Sequence, residues 1–318
     1  MPRIAILDDY QNVAGTVADW SSLTKDCAIE TFTTPFAGEA AAVAALKDFD
    51  IIVAMRERTP FPASLVKALP RLRLLVTTGM RNAAIDMASA RAQGIDVCGT
   101  GILSYPAAEL VWALILALVK NIPREDRAMR EGRWHVGLAD GLKGKTLGVL
   151  GLGRLGSQVA AVGLAFGMPV IAWSQNLTEA RANEVGAKRV DKDALFRDSD
   201  ILTIHVVLSA RTRGLVGEKE LRLMKPTAYL VNTARGPIVD EAALVRALEE
   251  KWIAGAGLDV YDKEPLPSDH PLRLLDNTVL TGHTGYVTTE NYRLMYGEAV
   301  EDIRAWLTGK PIRLLNGP

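Results

Sequence analysis

Cysteine is scarce: Cys27 and Cys98 are the only two in 318 residues. That is too few for a disulfide framework or a cysteine-based metal cluster, so no metal is expected, and it suits a reducing cytoplasm. Net charge is absent as well. The 37 basic side chains balance 37 acidic ones, so no positive excess exists to neutralise nucleic-acid phosphates or hold a polybasic segment on a membrane. The N-terminus, MPRIAILDDY, meets two aspartates where a signal peptide would need an apolar core. The longest apolar run, Leu110–Val119, falls far short of the roughly 20 residues that span a bilayer. Nucleic-acid partners, membrane insertion and secretion are therefore not expected; a cytoplasmic protein is. Histidine is rare too, with four in the chain, so candidates for proton transfer near neutral pH are few. What is present is an ordinary globular mix, 48% apolar and 23% charged. At roughly 100–200 residues per domain, the length suggests two domains.

The patterning is α/β throughout. Ile4–Leu7, Ile51–Met55, Leu74–Thr77 and Ile95–Val97 read as strands, with helical spacing at Ala40–Lys47, Pro62–Ala68 and Ile85–Gln93. A long apolar helix, Ala107–Asn121, is expected to continue through the charged segment Arg124–Glu131. A second series follows, with strands at Leu147–Leu150, Val170–Ala172, Ile201–His205, Ala228–Asn232, Gly255–Leu258 and Thr278–Leu280. Helices fall between them at Leu155–Phe166, Glu179–Val185, Lys192–Arg197, Glu218–Leu223 and Glu241–Glu250. Alternation of this kind predicts two doubly wound parallel sheets, the second a complete dinucleotide-binding unit. Thr289–Leu307 reads as an amphipathic helix and Lys310–Leu315 as a final extended piece.

Directly after Leu147–Leu150 comes Gly151-Leu152-Gly153-Arg154-Leu155-Gly156, a GxGxxG run that opens a helix. Gly151 permits a tight turn, Gly153 lets the backbone approach a pyrophosphate, and Gly156 lets helix and strand pack closely. The helix N-terminus then holds the anion. A glycine-rich turn alone would explain the run; its place between strand and helix in a six-strand series favours dinucleotide binding. The carboxylate that an NAD site usually places on the ribose about 20 residues later is missing: the strand ends Ala172-Trp173-Ser174-Gln175-Asn176. Ser174 and Gln175 offer hydrogen bonds and no repulsion to the 2′-phosphate of NADP, with Arg181 farther on. The reading leans to NADP(H), against a neutral site that accepts both cofactors.

Of the four histidines, His135 and His270 sit in loops expected to be solvated, and His205 ends a strand beside the cofactor crevice, where it either packs or bonds the ribose, with Val206 next. His283 follows the last strand of the second series, where open α/β sheets place their chemistry. Arg235 and Glu264 follow other strands of the same series. Convergence of the three on a nicotinamide would suit hydride transfer to a carbonyl. Arg235 would hold a carboxylate and the carbonyl oxygen, His283 would donate the proton, and Glu264 would orient it and raise its pKa. A surface charge network is the alternative.

Asn232-Thr233-Ala234-Arg235-Gly236, Gly257-Leu258-Asp259-Val260, Glu264-Pro265 and the glycine-flanked His283 together resemble the D-isomer-specific 2-hydroxyacid dehydrogenase family. The likeness extends to Met55-Arg56-Glu57-Arg58-Thr59, Asp86–Asn121 and Gly144-Lys145-Thr146-Leu147-Gly148. The resemblance implies a Rossmann cofactor domain, 104–284, inserted in a discontinuous flavodoxin-like substrate domain, 1–103 and 285–318, with catalysis in the cleft between them. It implies Arg235 for substrate binding, His283 as acid/base and Glu264 as its partner. It also implies that Asp259 contacts the nicotinamide end, that Thr233 and Ala234 line the cofactor, and that Arg154 and Leu155 offer amides to the pyrophosphate. Arg56, Gly79, Met80 and Arg81 fall in the implied substrate loops. A homodimer through the cofactor domain is implied, with the Arg133-Trp134 arm and the Ala107–Asn121 helix as its contact. The expected activity is reduction of small 2-oxo acids, glyoxylate or hydroxypyruvate foremost.

Departures from the family pattern are informative. Gly282 stands where proline is common, which implies a looser loop. Arg81 replaces a usual glycine and Ala83-Ala84 a usual Asp-Asn pair; Arg81 either alters substrate choice or points into solvent. The end of the chain at Pro318 disfavours the long serine-regulated phosphoglycerate dehydrogenases, and Glu264 disfavours formate dehydrogenase, which has glutamine there. No tyrosine is followed four residues later by lysine, which excludes a short-chain dehydrogenase. A non-enzymatic, corepressor-like dinucleotide sensor is the rival from another class; it is disfavoured by the intact Arg235/Glu264/His283 set and by the lack of long tails.

Overall fold

The computed structural model describes residues 1–317 and divides into two compact units, Met1–Leu103 with Val287–Pro318, and Ser104–Tyr286. Pro318, the last residue of the expected substrate domain, lies outside the described residues. Unit 1 contains β1 (Arg3–Ile6), α1 (Ala14–Val17), α2 (Ser21–Thr24), β2 (Ala28–Thr31), α3 (Glu39–Leu46), β3 (Ile51–Ala54), α4 (Ala63–Ala68), β4 (Leu74–Thr77), α5 (Met87–Ala92) and β5 (Asp96–Gly99). Its sheet is parallel in the order β2-β1-β3-β4-β5, so the strand order reverses between β1 and β3. β3 and β4 are buried along their whole length, as continuous apolar runs covered on both faces must be. β2 was not expected: it is an exposed edge strand of Ala28, Ile29, Glu30 and Thr31 with no apolar alternation to reveal it.

Unit 2 opens with α6 (Pro106–Val119) and α7 (Ile122–Arg130). The expected single helix is in fact two, bent by 62°. Pro123 cannot donate a helical hydrogen bond, and Asn121 turns the chain in the left-handed region at φ 54°. Beyond it come β6 (Leu147–Leu150), α8 (Arg154–Ala165), β7 (Val170–Trp173), α9 (Glu179–Glu184), β8 (Lys188–Arg189), α10 (Lys192–Asp198) and β9 (Ile201–Ile204). They are followed by α11 (Glu218–Leu223), β10 (Tyr229–Asn232), α12 (Glu241–Glu249), β11 (Gly255–Leu258) and β12 (Thr278–Leu280). The sheet is parallel in the order β12-β11-β10-β9-β6-β7-β8 and reverses between β6 and β9. It has seven strands rather than the six expected, because β8 adds a two-residue exposed edge too short to read from a pattern. α6 lies against the sheet where Gly257 has no side chain: a Cβ there would sit 3.1 Å from the Leu114 Cβ. No single helix among the described residues is long and apolar enough to cross a membrane.

α13 (Thr289–Leu307) belongs to unit 1. The tail expected as an extended piece makes one antiparallel bridge, Leu314 to Cys98, and Leu315 N–H donates to the Val97 carbonyl at 2.7 Å. Asn316 completes that edge with its side chain, accepting from Val97 N–H and donating to the Ile95 carbonyl. The second boundary between units falls after Tyr286 rather than after residue 284. Gly285 N–H donates to the buried Asp259 carboxylate at 2.9 Å and Tyr286 packs edge-on to the His283 ring, which keeps both residues in unit 2.

Candidate active site

The carboxyl ends of β6, β9, β10, β11 and β12 bring the sequence candidates of unit 2 to one edge of the sheet. After β6, the three glycines answer different demands. Gly151 has φ +102°, and a Cβ there would strike the His205 and Val206 backbone at 2.9 Å. Gly156 is packed so closely that a Cβ would lie 2.1 Å from the Gly151 carbonyl oxygen. Gly153, at the N-cap of α8, faces open space, with nothing within 4 Å of a Cβ position. A pyrophosphate needs that opening, and the first-turn amides of Arg154, Leu155 and Gly156 point where no preceding carbonyl reaches them. The cradle therefore fits a dinucleotide.

Ser174 follows β7 half-buried, with Gln175 and Asn176 exposed beyond it. Arg181 reaches back from α9 to donate to Ser157 Oγ on α8 at 2.9 Å, while its other arm pairs with Glu184 at 2.7 Å. His205 follows β9 and shares a hydrogen bond between its Nε2 and Thr203 Oγ1 at 2.9 Å. Burial pushes its pKa down to about 4, so it is neutral near pH 7.

The turn after β10 is held by Asn232, which is buried: its side chain accepts from Ala234 N–H and donates to the Arg235 carbonyl, both at 3.0 Å. Thr233, Ala234 and Arg235 are thereby presented half-buried. Gly236 lets this turn press against the loop after β11, since a Cβ would lie 2.0 Å from the Tyr261 carbonyl carbon. In that loop, Glu264 accepts from Tyr261 N–H at 2.9 Å through Oε1 and pairs with His283 Nδ1 at 2.6 Å through Oε2. Burial opposes ionisation of Glu264. The hydrogen bond and charge of His283, the Tyr261 amide and the Arg235 guanidinium outweigh it and hold the carboxyl below its ordinary range.

His283 sits in the left-handed region at φ 54°, uncommon for a residue with a side chain and a conformation that functional sites tolerate. Its backbone is tied down by Asp259. The His283 N–H donates to the Asp259 carbonyl at 2.7 Å, and the Asp259 carboxylate accepts from Thr281 Oγ1, Thr284 N–H and Gly285 N–H. The family resemblance places Asp259 at the nicotinamide end. In the structure this side chain is wholly buried and both its oxygens are spent on the histidine loop. The His283 Nε2 has no hydrogen-bond partner among the described residues, while Nδ1 is committed to Glu264. Sequence reasoning gave no role to Asn232, Tyr261 and the two threonines of this framework, although all four stand in the stretches that carry Arg235, Glu264 and His283.

His270, expected in solvent, is half-buried and structural: its Nδ1 accepts from Leu272 N–H at 3.3 Å and its Nε2 meets Glu241 at 3.1 Å. His135 is exposed and stacked on Trp134.

In unit 1, the loop after β4 is built on the loop after β3. Arg56, at φ 51°, donates its N–H to Thr78 Oγ1 and its guanidinium to the Thr78 carbonyl. Gly79, at φ +110°, makes room for it: a Cβ would lie 1.8 Å from the arginine. The Gly79 amide, one of the expected substrate contacts, is already donated to Thr100 Oγ1 at 3.0 Å, so this glycine shapes the turn. Met80 and Arg81 are exposed at its tip. Asn82, absent from the candidates, ties the Arg56 carbonyl, Thr77 and Ala84 together. No group of three His, Cys, Asp or Glu side chains among the described residues is placed to hold a metal ion.

These sheets, the cradle and the glutamate–histidine pair define a nicotinamide-dependent dehydrogenase. The family model for D-isomer specific 2-hydroxyacid dehydrogenase, NAD binding domain, matches residues 112–285, and the chain belongs to this family. It is 44% identical over 263 residues to a glyoxylate reductase of Aeropyrum pernix, covering 79% of this chain and 78% of that one. Among solved structures, a phosphoglycerate oxidoreductase from Vibrio cholerae superposes with a TM-score of 0.92 at 34% identity, covering 97% of this chain and 100% of the other. A D-lactate dehydrogenase from Aquifex aeolicus, complexed with NAD and lactic acid, gives 0.80 at 29% identity over 99% of each. The chain is an oxidoreductase that uses a nicotinamide cofactor and acts on the CH–OH group of small 2-hydroxy acids, or on the corresponding 2-oxo acids.

Proposed function

We propose that the chain reduces glyoxylate or hydroxypyruvate, with His283 as proton donor, Arg235 binding the substrate carboxylate and carbonyl oxygen, and Glu264 orienting His283. One observation carries the assignment: the Glu264 carboxylate takes His283 Nδ1 at 2.6 Å and leaves Nε2 as the ring's open nitrogen. In the reducing direction the imidazolium gives its Nε2 proton to the carbonyl oxygen as that oxygen becomes the hydroxyl, and Glu264 stabilises the charged ring before transfer. A nicotinamide held by this cradle would supply the hydride for the carbonyl carbon. Arg235, with its planar fork, suits a carboxylate beside a carbonyl, and its charge also favours ionised Glu264.

Unit 2 holds the dinucleotide in this reading, through Gly151, Gly153, Arg154, Leu155 and Gly156 at the phosphates, Ser174 and Gln175 at the ribose, and His205, Val206, Thr233 and Ala234 along the crevice. Unit 1 supplies the substrate loops, with Arg56 and the amides of Met80 and Arg81. NADP(H) is preferred because Ser174 stands where a carboxylate would repel the 2′-phosphate; Arg181 adds a cation on that side, partly neutralised by Glu184. A cytoplasmic homodimer through unit 2 is proposed as well, free of nucleic-acid and membrane partners. Ile122, Met129, Trp134 and Leu138 are 54%, 52%, 71% and 98% exposed, an apolar set that a second copy would cover.

Initial rates for a panel of 2-oxo acids, each with NADH and NADPH, test the reading. Glyoxylate or hydroxypyruvate should lead, with NADPH the better reductant. Comparable rates with NADH would defeat the cofactor preference, and inactivity toward every acid would favour a dinucleotide sensor. Sedimentation of a monomer would remove the dimer.

A further inference from the structure

We infer that Glu241 and His270 form a clasp that positions Glu264, holding the loop on both sides of it to the start of α12. The inference rests on the roles proposed above for Glu264 and His283.

Glu264 lies in a stretch, 261–270, with neither helix nor strand. Pro265 and Pro267 have no N–H to give, so the segment cannot hold itself by a backbone ladder. Its anchors are side chains. Glu241 Oε2 accepts from Asp262 N–H at 3.2 Å, two residues before Glu264, and Oε1 meets His270 Nε2 at 3.1 Å, six residues after it. Leu272 N–H donates to His270 Nδ1, so the ring proton sits on Nε2 and points at Glu241. A neutral imidazole is enough for this bond; no proton need be taken up. Glu241 is the first residue of α12, and Asp240 caps the same turn by accepting from Ala243 N–H. α12 begins six residues after Arg235, beyond a 3-10 turn at Gly236–Ile238, so one carboxylate ties the segment that follows Arg235 to the loop that carries Glu264. Arg273 supports the far side by donating to the Leu266 and Pro267 carbonyls. Nothing in the clasp touches substrate or cofactor in this assignment; it acts through the position of Glu264.

Four proteins decide it: wild type, Glu241→Ala, His270→Phe and His270→Gln, the last keeping an N–H that can reach Glu241. Two readouts are taken, steady-state kinetics in H2O and D2O, and amide exchange by mass spectrometry over residues 261–270. In Glu241→Ala and His270→Phe, kcat should fall about tenfold, KM for the cofactor should stay within about twofold, and the solvent isotope effect on kcat should grow as proton transfer becomes slower. Exchange of 261–270 should quicken by about tenfold with the rest of unit 2 unchanged. His270→Gln should recover most of both losses. Wild-type exchange and kcat in Glu241→Ala would overturn the clasp, as would His270→Gln behaving like His270→Phe. Protection lost evenly over unit 2, with no change in isotope effect, would show a merely structural role and overturn it too. If Glu241→Ala does not fold, the two His270 variants carry both readouts. If the wild type reduces no 2-oxo acid, the proposed function fails, and the exchange measurement still judges the clasp.

Discussion

Unit 2 contains two carboxylate–imidazole pairs of the same chemistry in different surroundings. Glu264 and His283 are 2.6 Å apart, and Glu241 and His270 are 3.1 Å apart. What separates them is the second ring nitrogen. In His270 it accepts a backbone N–H from Leu272, so both nitrogens are spent within the fold. In His283 it is left open, and the ring is carried on a left-handed backbone held by Asp259. A carboxylate beside an imidazole does not mark a catalytic dyad by itself; proton transfer also requires the other nitrogen to be open.

The sharpest break of that comparison is to remove each imidazole in turn. His283→Asn should lower kcat by about 10²–10⁴-fold while sparing cofactor affinity, read by steady-state rates and nicotinamide fluorescence. Unchanged turnover would sink the mechanism, whereas at His270 only the smaller loss described above is expected. His205 is a third imidazole, paired with a hydroxyl and no carboxylate. Its folded pKa is depressed to about 4 from 6.5, so the unfolded chain binds its proton first. The stability this contributes is present above pH 6.5 and is lost as pH falls from there through about 4. Wild type should therefore lose Tm faster than His205→Gln across that window, and parallel curves would refute buried neutral His205.

Glu264 shifts in the same direction, its folded pKa lying below its ordinary value. Its pairing stabilises the fold above the unfolded carboxyl value of about 4.3 and is lost as pH falls below it through the folded value. The gap in Tm between wild type and Glu264→Gln should hold at pH 5 and close in stronger acid. The smallest expected effect is at Gly282, where a Cβ meets nothing within 4 Å and φ lies outside the left-handed region. Gly282→Ala should stabilise by about 0.4–1 kcal/mol by narrowing the unfolded ensemble, measured by urea unfolding.

The buried strands were legible because a covered parallel sheet demands continuous apolar runs: Leu74–Thr77, Leu147–Leu150 and Gly255–Leu258 lie where their pattern puts them. Edge strands β2 and β8 were not, since one open side relaxes that demand. The break at Asn121 escaped a reading based on apolar periodicity alone, although Pro123 was in plain view. The glycine loop was readable residue by residue, because each glycine answers a local backbone demand. The framework around His283 was not: Asp259 and Thr281 lie far apart in the chain, and only the sheet brings them together.

By itself, the sequence determined the class of protein: two α/β units, a dinucleotide cradle, and an arginine, a glutamate and a histidine at strand ends. These follow from local periodicity, backbone conformation and motif spacing. Tertiary structure alone decided which histidine is available. His270 and His283 are the same side chain beside the same kind of acid. Which ring nitrogen remains open depends on hydrogen-bond partners supplied by the folded backbone and by distant strands.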